Sequence, residues 1–396
     1  MKAITRRTLL ASGLLPLIVF AACAESGDSP GYVQEDGAAP EAGIPDATDA
    51  SAADARDEDV EALRCSEGFC IVDLPTPEAH GFTQWAFTGV QVDPVIGAWA
   101  IANGASGVDG ATARILHFED GTFEPVHSPA LGSGGDERAI ELVSLASDGA
   151  GHLVAVGATL DDATPVIVRG DGTTFTTTTF DGGPLASVWF AEPGEAWFVG
   201  TGGGIYRSST DGGWESESIE APVDFASVWG SGPGDLYVGG VNVDPEAFWP
   251  FGYLGHRTLS DAGAPTWTFR SFDDLQQDRW GDSVILAGVA PPDGTRFWAA
   301  PNLLARTAPG GGHDDWVADT FEPRVVIRAF WARGKDDVYA VGRLGRVFHF
   351  DGTSWKDLLL SYNGAPLTPH LTAIAGTNAG EIFIVGEGVA LRRQAR

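Results

Sequence analysis

The sequence predicts an all-β chain folded as a seven-bladed β-propeller of four-stranded antiparallel blades, and three observations carry that reading. A phrase recurs: "SVWFAEPGEAWFVG" begins at Ser187 and "SVWGSGPGDLYVGG" at Ser227. Its second half appears seven times, as "AWAIANG" (98–104), "HLVAVGA" (152–158), "EAWFVGT" (195–201), "DLYVGGV" (235–241), "RFWAAPN" (296–302), "DVYAVGR" (337–343) and "EIFIVGE" (381–387). The period is that of one blade: the residues taken as equivalent to Trp189, namely Ala86, Ala146, Trp189, Trp229, Val289, Trp331 and Ala375, lie 60, 43, 40, 60, 42 and 44 positions apart. The two spacings of 60 read as blades with long loops.

Each copy is a short run of aromatic and β-branched residues entered through a Gly, Pro or Asp turn and mostly left through Gly, which is a strand signature. An apolar strand precedes it. A third strand follows in most repeats, as in "ARILHFEDG", "PVIVRGDG", "GIYRSSTDG" and "GRVFHFDG", and a turn then leads to an aromatic that opens the fourth: Phe123, Phe175, Trp214, Trp267, Trp316 and Trp355. That makes six such aromatics for seven repeats, and the last repeat stops after "GVALRRQ". The missing strand is expected at the other end of the chain, where "CSEGFCIVDLPTP" carries the same Gly-aromatic step at Gly68 and Phe69. Pairing it with "GVALRRQ" closes the ring and removes an edge that would otherwise invite aggregation. In an exported chain the close pair Cys65 and Cys70 reads as a disulfide that stiffens this closing strand, worth about 2 kcal/mol for so short a loop.

The export expectation comes from the first 22 residues. They have a basic start (Lys2, Arg6, Arg7), then an apolar run from Leu9 to Phe20 that is shorter than the roughly 20 residues a bilayer span needs. Thr5 to Leu10 is similar to a twin-arginine export motif. Phe20, Ala21, Ala22 and Cys23 resemble the bacterial lipobox, which implies acylation of the Cys23 thiol, cleavage just before it and attachment to a membrane through lipid. Ala24 in place of Asp implies, by the sorting rule of some Gram-negative bacteria, the outer membrane. Residues 24–64 hold 12 Asp or Glu and two Arg and almost no large apolar side chains, a composition that cannot offset its ordering entropy. The expected organisation is therefore a signal peptide over 1–22, a disordered acidic tether over 23–64 and the propeller over 65–396. The formal net charge of −30 opposes counterion release from nucleic acid, so no nucleic-acid partner is expected.

"SVWGSGPGDLYVGG" and "AFWARGKDDVYAVGRLGRVFHFDGTSW" resemble the propeller repeats of exported bacterial proteins, often lipoproteins, typical of myxobacteria and their relatives. The resemblance covers residues 65–396. The repeats are also distantly similar to the sialidase-type Asp-box, which Ser209, Asp211, Gly213 and Trp214 approach with one residue missing before the Trp. In sialidases these boxes are structural turns away from the active site, so the resemblance implies no catalysis.

The sequence holds no GxSxG elbow, HExxH, phosphate-binding GxxxxGK or GxGxxG opening a helix. "GTGGGIY" (200–206) reads as a hairpin turn. Arg169, Arg207 and Tyr206 lack the spacing of a sialidase centre, and the eight His residues show no pair at ligand spacing, so neither metal nor cofactor is expected. The acids that enter the second strands, Glu195, Asp235, Asp337 and Glu381, read as turn residues bonded to nearby backbone amides. Trp189, Trp229 and Trp331 read as inter-blade core. Blade four departs most from the repeat. Its inner loop "VNVDPEAFWPFG" (241–252) and exit connector "FDDLQQDRWGD" (272–282) place Phe248, Trp249, Phe251 and Trp280 beside Asp273, Asp274, Gln276, Gln277 and Arg279. Aromatic faces bordered by planar polar groups suit a glycan or a peptide. The expected function is a non-catalytic, envelope-anchored binding or assembly module for a glycan or protein ligand, with a carbohydrate-active hydrolase or lyase on the same fold as the alternative.

Overall fold

Second strands such as Glu195–Gly200 and Asp337–Gly342 are buried on both faces beyond their first residue, which is why they read as unbroken apolar runs instead of alternating ones. The structure of the chain, a computed structural model, describes residues 64–104, 112–132, 137–208, 213–244, 250–271, 284–291, 294–301, 303–307, 315–319 and 325–395. Among these residues, six four-stranded antiparallel sheets follow in order. They run from Trp85 to His127, Ile140 to Thr179, Leu185 to Ser216, Val223 to Ser271, Ala287 to Asp319 and Ile327 to Leu358, and form blades one to six. The seventh sheet combines Leu371–Gly376, Ile382–Gly386 and Val389–Arg393 with Phe69–Ile71 and Cys65–Ser66 from the other end of the chain. First strands of consecutive blades neighbour one another in a closed cycle, blade seven against blade one included. The chain is thus a seven-bladed β-propeller.

Closure follows the expected scheme with one addition. Cys70 pairs with Arg392 and Ile71 with Leu391, and the Val72 amide donates to the Ala390 carbonyl at 2.9 Å. Phe69 is fully buried among Tyr339, Ile384 and Leu391. The addition is a fifth strand, the two-residue Cys65–Ser66, folded back on Phe69–Ile71 so that Cys65 lies opposite Cys70, and these two cysteines form the disulfide. The cross-link therefore staples a hairpin at the outer rim of blade seven.

The repeat frame needs correction in two blades. Trp189, Trp229, Trp331 and Ala375 pair with the aromatics Trp197, Tyr237, Tyr339 and Phe383 of their second strands. In blade one the residue opposite Trp99 is Gln91, not Ala86, which pairs with Asn103. In blade five Gly288, not Val289, faces Trp298. In both blades the apolar residues fit more than one register, and the 60-residue spacings that adjoin them leave the frame unfixed.

The serine that follows the first-strand bulge joins the blades. The Ser144 hydroxyl accepts from the Val188 amide (3.2 Å), Ser187 accepts from Val228 (3.4 Å), and Ser227 donates to the Ile285 carbonyl (3.3 Å). Thr88 and Thr372 do the same from one residue earlier, donating to the carbonyls of Leu142 and Phe87 at 2.7 Å each. Each of these bonds crosses from one blade to the next, the last across the closure. The tryptophans lie across blade boundaries as expected: Trp331 donates to the Gly376 carbonyl at 3.1 Å, and Trp229 covers Gly288, where a Cβ would sit 2.1 Å from the indole.

The glycine that ends the repeat has a steric cause. The first strand carries a bulge, with a register shift between Leu185 and Ser187 in blade three and between Ile327 and Ala329 in blade six, and the bulge presses the preceding carbonyl onto the second strand. A Cβ on Gly200 would lie 1.8 Å from the Pro184 carbonyl oxygen, and one on Gly342 would lie 2.2 Å from that of Val326. No side chain fits there.

Candidate binding site

Four of the seven blades carry an acid at the start of the second strand, and the structure gives these acids partners other than the expected backbone amides. Glu195 accepts from the Trp197 indole at 2.8 Å and lies 3.8 Å from Arg207. Asp235 bonds His256 at 3.0 Å, Ser231 at 2.5 Å and Arg296 of blade five. Asp337 meets His349 and Arg333 at 2.8 Å each, and Glu381 accepts from Arg392 at 2.8 Å. In each case the base stands in the third strand directly opposite the second-strand aromatic, in the pairs Trp197 and Arg207, Tyr237 and His256, Tyr339 and His349, and Phe383 and Arg392. His256 stacks 4.2 Å from the Tyr237 ring centre and His349 stacks 4.4 Å from that of Tyr339. An acid, an aromatic and a base thus form one row in each of these four blades.

Asp235 shows the electrostatic consequence. Burial alone would raise its pKa, but the bonds from His256, Ser231 and Arg296 outweigh burial and hold it far below the usual carboxylate range. A depressed folded pKa means that the contribution to stability is complete above the unfolded value, about 3.9 for Asp, and is lost as pH falls from there toward the folded value. The melting temperature is expected to stay level between pH 5 and 8 and to fall below about pH 4. In Asp235→Asn this acid limb should be shallower in a thermal scan series.

The residue at the first bulge of the first strand is Thr88, Val143, Ala186, Ala226, Arg328 and Thr372 in blades one, two, three, four, six and seven. Arg328 is the only charged residue among these six. Burial and the nearby Arg343 lower its pKa, against a smaller opposing effect from Glu387. Among the described residues no group of three or more His, Cys, Asp or Glu side chains gathers at metal-ligand distance.

Most of the blade-four site expected from sequence, namely Phe248, Trp249, Asp273, Asp274, Gln276, Gln277, Arg279 and Trp280, lies outside the described residues, as do Cys23, Ser209 and Asp211. The stems of the two blade-four segments are described. Val241 pairs with Gly252 and Tyr253 with Ser271, the Asn242 amide donates to the Phe251 carbonyl at 2.9 Å, and the Ile285 amide donates to Gly240 at 3.2 Å. Both segments therefore leave the same end of blade four, as the propeller topology requires, with Phe251 half-buried at the stem.

A groove of about 500 Å³ opens between blades two and three at the opposite end of the strands, where their tight turns lie. Leu153, Val154, Phe190, Ala196 and Phe198 supply its apolar walls, and Arg169, Thr174, Thr176 and Ser208 its polar groups. The sequence signal for it is visible once the repeats are aligned: position 152 is His where blades three, four, six and seven have an acid.

No family model matches the chain, and no curated protein matches it. Solved structures do. YCF48 bound to D1 peptide superposes with a TM-score of 0.58 at 16% identity over 84% of this chain and 98% of that one. YCF48 from Cyanidioschyzon merolae gives 0.54 at 15% identity, over 83% and 99%. A catalytically inactive virginiamycin B lyase from Staphylococcus aureus with quinupristin gives 0.50 at 13% identity, over 78% and 94%. At such identities the likeness speaks for the fold alone: this chain is similar to β-propellers, one carrying a bound peptide and one a lyase.

Proposed function

We propose that the chain is a non-catalytic binding or assembly module, carried at the cell envelope on an acylated Cys23, that presents a propeller face to a protein or glycan ligand. The observation that carries the non-catalytic part is the use made of charge. The recurring acids and bases of blades three, four, six and seven neutralise one another within the blade or with the next one, so they stiffen the scaffold instead of converging on the axis. A rigid scaffold with long loops in one blade is how binding surfaces are built. The peptide in the YCF48 complex favours a protein ligand over a glycan, and the lyase on a similar fold is why turnover has to be assayed on the same sample.

The test is a pull-down from envelope extract run beside a glycan array and a turnover assay. Capture or glycan binding that Trp249→Ala combined with Trp280→Ala reduces at least tenfold, without turnover, is the expected result. Turnover lost on changing Arg328 or Glu387 would replace this reading with the enzymatic one. The anchor is tested by phase partitioning, in which Cys23→Ser should move the protein from the detergent to the aqueous phase.

A further inference from the structure

Three blades break the acid-aromatic-base row: blade one has Gly97 in place of the acid with Trp99 opposite His117, blade five has Arg296 there with Trp298 opposite Ala305, and blade two lacks both the acid and the aromatic. Blade two keeps the base, Arg169, in the third strand, but the residue opposite is Val154 instead of an aromatic. The position that holds Glu195 or Glu381 in other blades is His152, whose ring turns away to the Asp148 carboxylate at 2.8 Å. Arg169 makes no hydrogen bond or ion pair with any described residue, and its guanidinium lies 4.7 Å from the ring centre of Trp214 in blade three. A half-buried guanidinium stays charged at neutral pH, and removing it from water without a counterion is costly. Burial accordingly lowers its pKa.

The surroundings define what would satisfy it. Among the described residues Arg169 is the only lysine or arginine lining the groove, so the groove offers a charge-assisted contact to one anionic group. The two carboxylates at the rim are already held by their own turns: Asp148 accepts from the amides of Ala150 and His152, and Asp171 from those of Thr173 and Thr174. The guanidinium fork matches the planar geometry of a carboxylate. Phe190, Val154 and Phe198 offer an apolar wall beside it, and the volume lies within the range of small-molecule pockets. We propose that the groove between blades two and three binds a single carboxylate carried on an aromatic or branched apolar body, with Arg169 as its counterion. The ligand is a free acid or the C-terminal residue of a peptide, two sources of one chemistry. This site is separate from the blade-four loops and does not depend on them.

Isothermal titration of the full chain with phenylacetate and with its neutral isostere phenylacetamide tests the proposal. A parallel pair, an acetylated tripeptide ending in phenylalanine and its C-terminal amide, distinguishes the two sources. At least one acid should bind, with its amide at least tenfold weaker. Arg169→Gln should reduce that binding at least tenfold. His152→Glu restores the pattern of blades three and seven and supplies an internal counterion, so it should abolish binding while the melting temperature stays equal or rises. Equal affinity for acid and amide, no binding of either acid, or binding that survives either substitution in a folded variant would overturn the assignment. The Trp249→Ala, Trp280→Ala double variant should bind the acid like the parent, so failure of the blade-four reading and failure of this one are told apart.

Discussion

Deleting residues 65–77 should leave a chain that aggregates or melts far below the parent, because the deletion removes part of the last blade and bares an edge. The lost segment includes Phe69, fully buried against Tyr339, Ile384 and Leu391, and Val72, buried in the core that joins blades seven and one. Without it, the backbone of Val389–Arg393 has no outer partner, and an unpaired strand is a template for association. A milder variant isolates the packing component. Phe69→Ala should cost about 3–5 kcal/mol, which is a large share of the 5–15 kcal/mol typical of a folded protein and corresponds to a fall of roughly 5–10 °C in melting temperature. The double change Cys65→Ala, Cys70→Ala removes only the hairpin staple and should cost about 2 kcal/mol. A deletion mutant that remains monomeric with the parent's melting temperature would show that the N-terminal strand is dispensable.

The second large effect is expected from one methyl group. In Gly200→Ala the new Cβ would meet the Pro184 carbonyl oxygen at 1.8 Å, and both atoms belong to backbone held by the bulge, so neither can swing away. Overpacking of this kind costs about 3 kcal/mol or more, read as a shifted denaturation midpoint. Gly342→Ala should behave alike, since its Cβ would meet the Val326 carbonyl oxygen. Blade one has the same bulge, between Phe87 and Gly89, yet accommodates Ala102 opposite Phe87, so the carbonyl contact and not the bulge alone excludes a side chain, and Ala102→Gly should cost only about 1 kcal/mol. Equal effects from the two kinds of change would mean that the close carbonyl contact does not set the glycine.

These two sites also mark what the sequence makes legible. Blade number and closure are readable because each blade must bury both faces of its second strand, which forces the same apolar run to recur, and because six fourth-strand aromatics for seven repeats point to a strand at the other terminus. The frame is plainest where Ser-Val-Trp is present, since Ser187 and Ser227 have a cross-blade bond to make, and blades two, six and seven keep it without the triplet. Blade one uses Thr88 at the bulge instead, and there the sequence reading misses the frame by five residues. The partners of the acids are hidden because each base lies 11 to 21 residues downstream, across a loop whose length varies between blades. The groove at Arg169 is a deviation from that row, so it becomes visible only once the row itself is known. Loop length and composition mark the blade-four aromatics, signals that identify a candidate surface without specifying its shape.

Native-state amide hydrogen exchange at Ile71 and Val72 tests ring closure most directly. If the N-terminal strand is the outer partner of Val389–Arg393, the Val72 amide, bonded to the Ala390 carbonyl, exchanges only through global opening, as slowly as amides of the buried strands Glu195–Gly200 and Ile382–Gly386. Exchange of Val72 orders of magnitude faster than those strands, at a pH where they stay protected, would contradict a sheet shared by both ends of the chain.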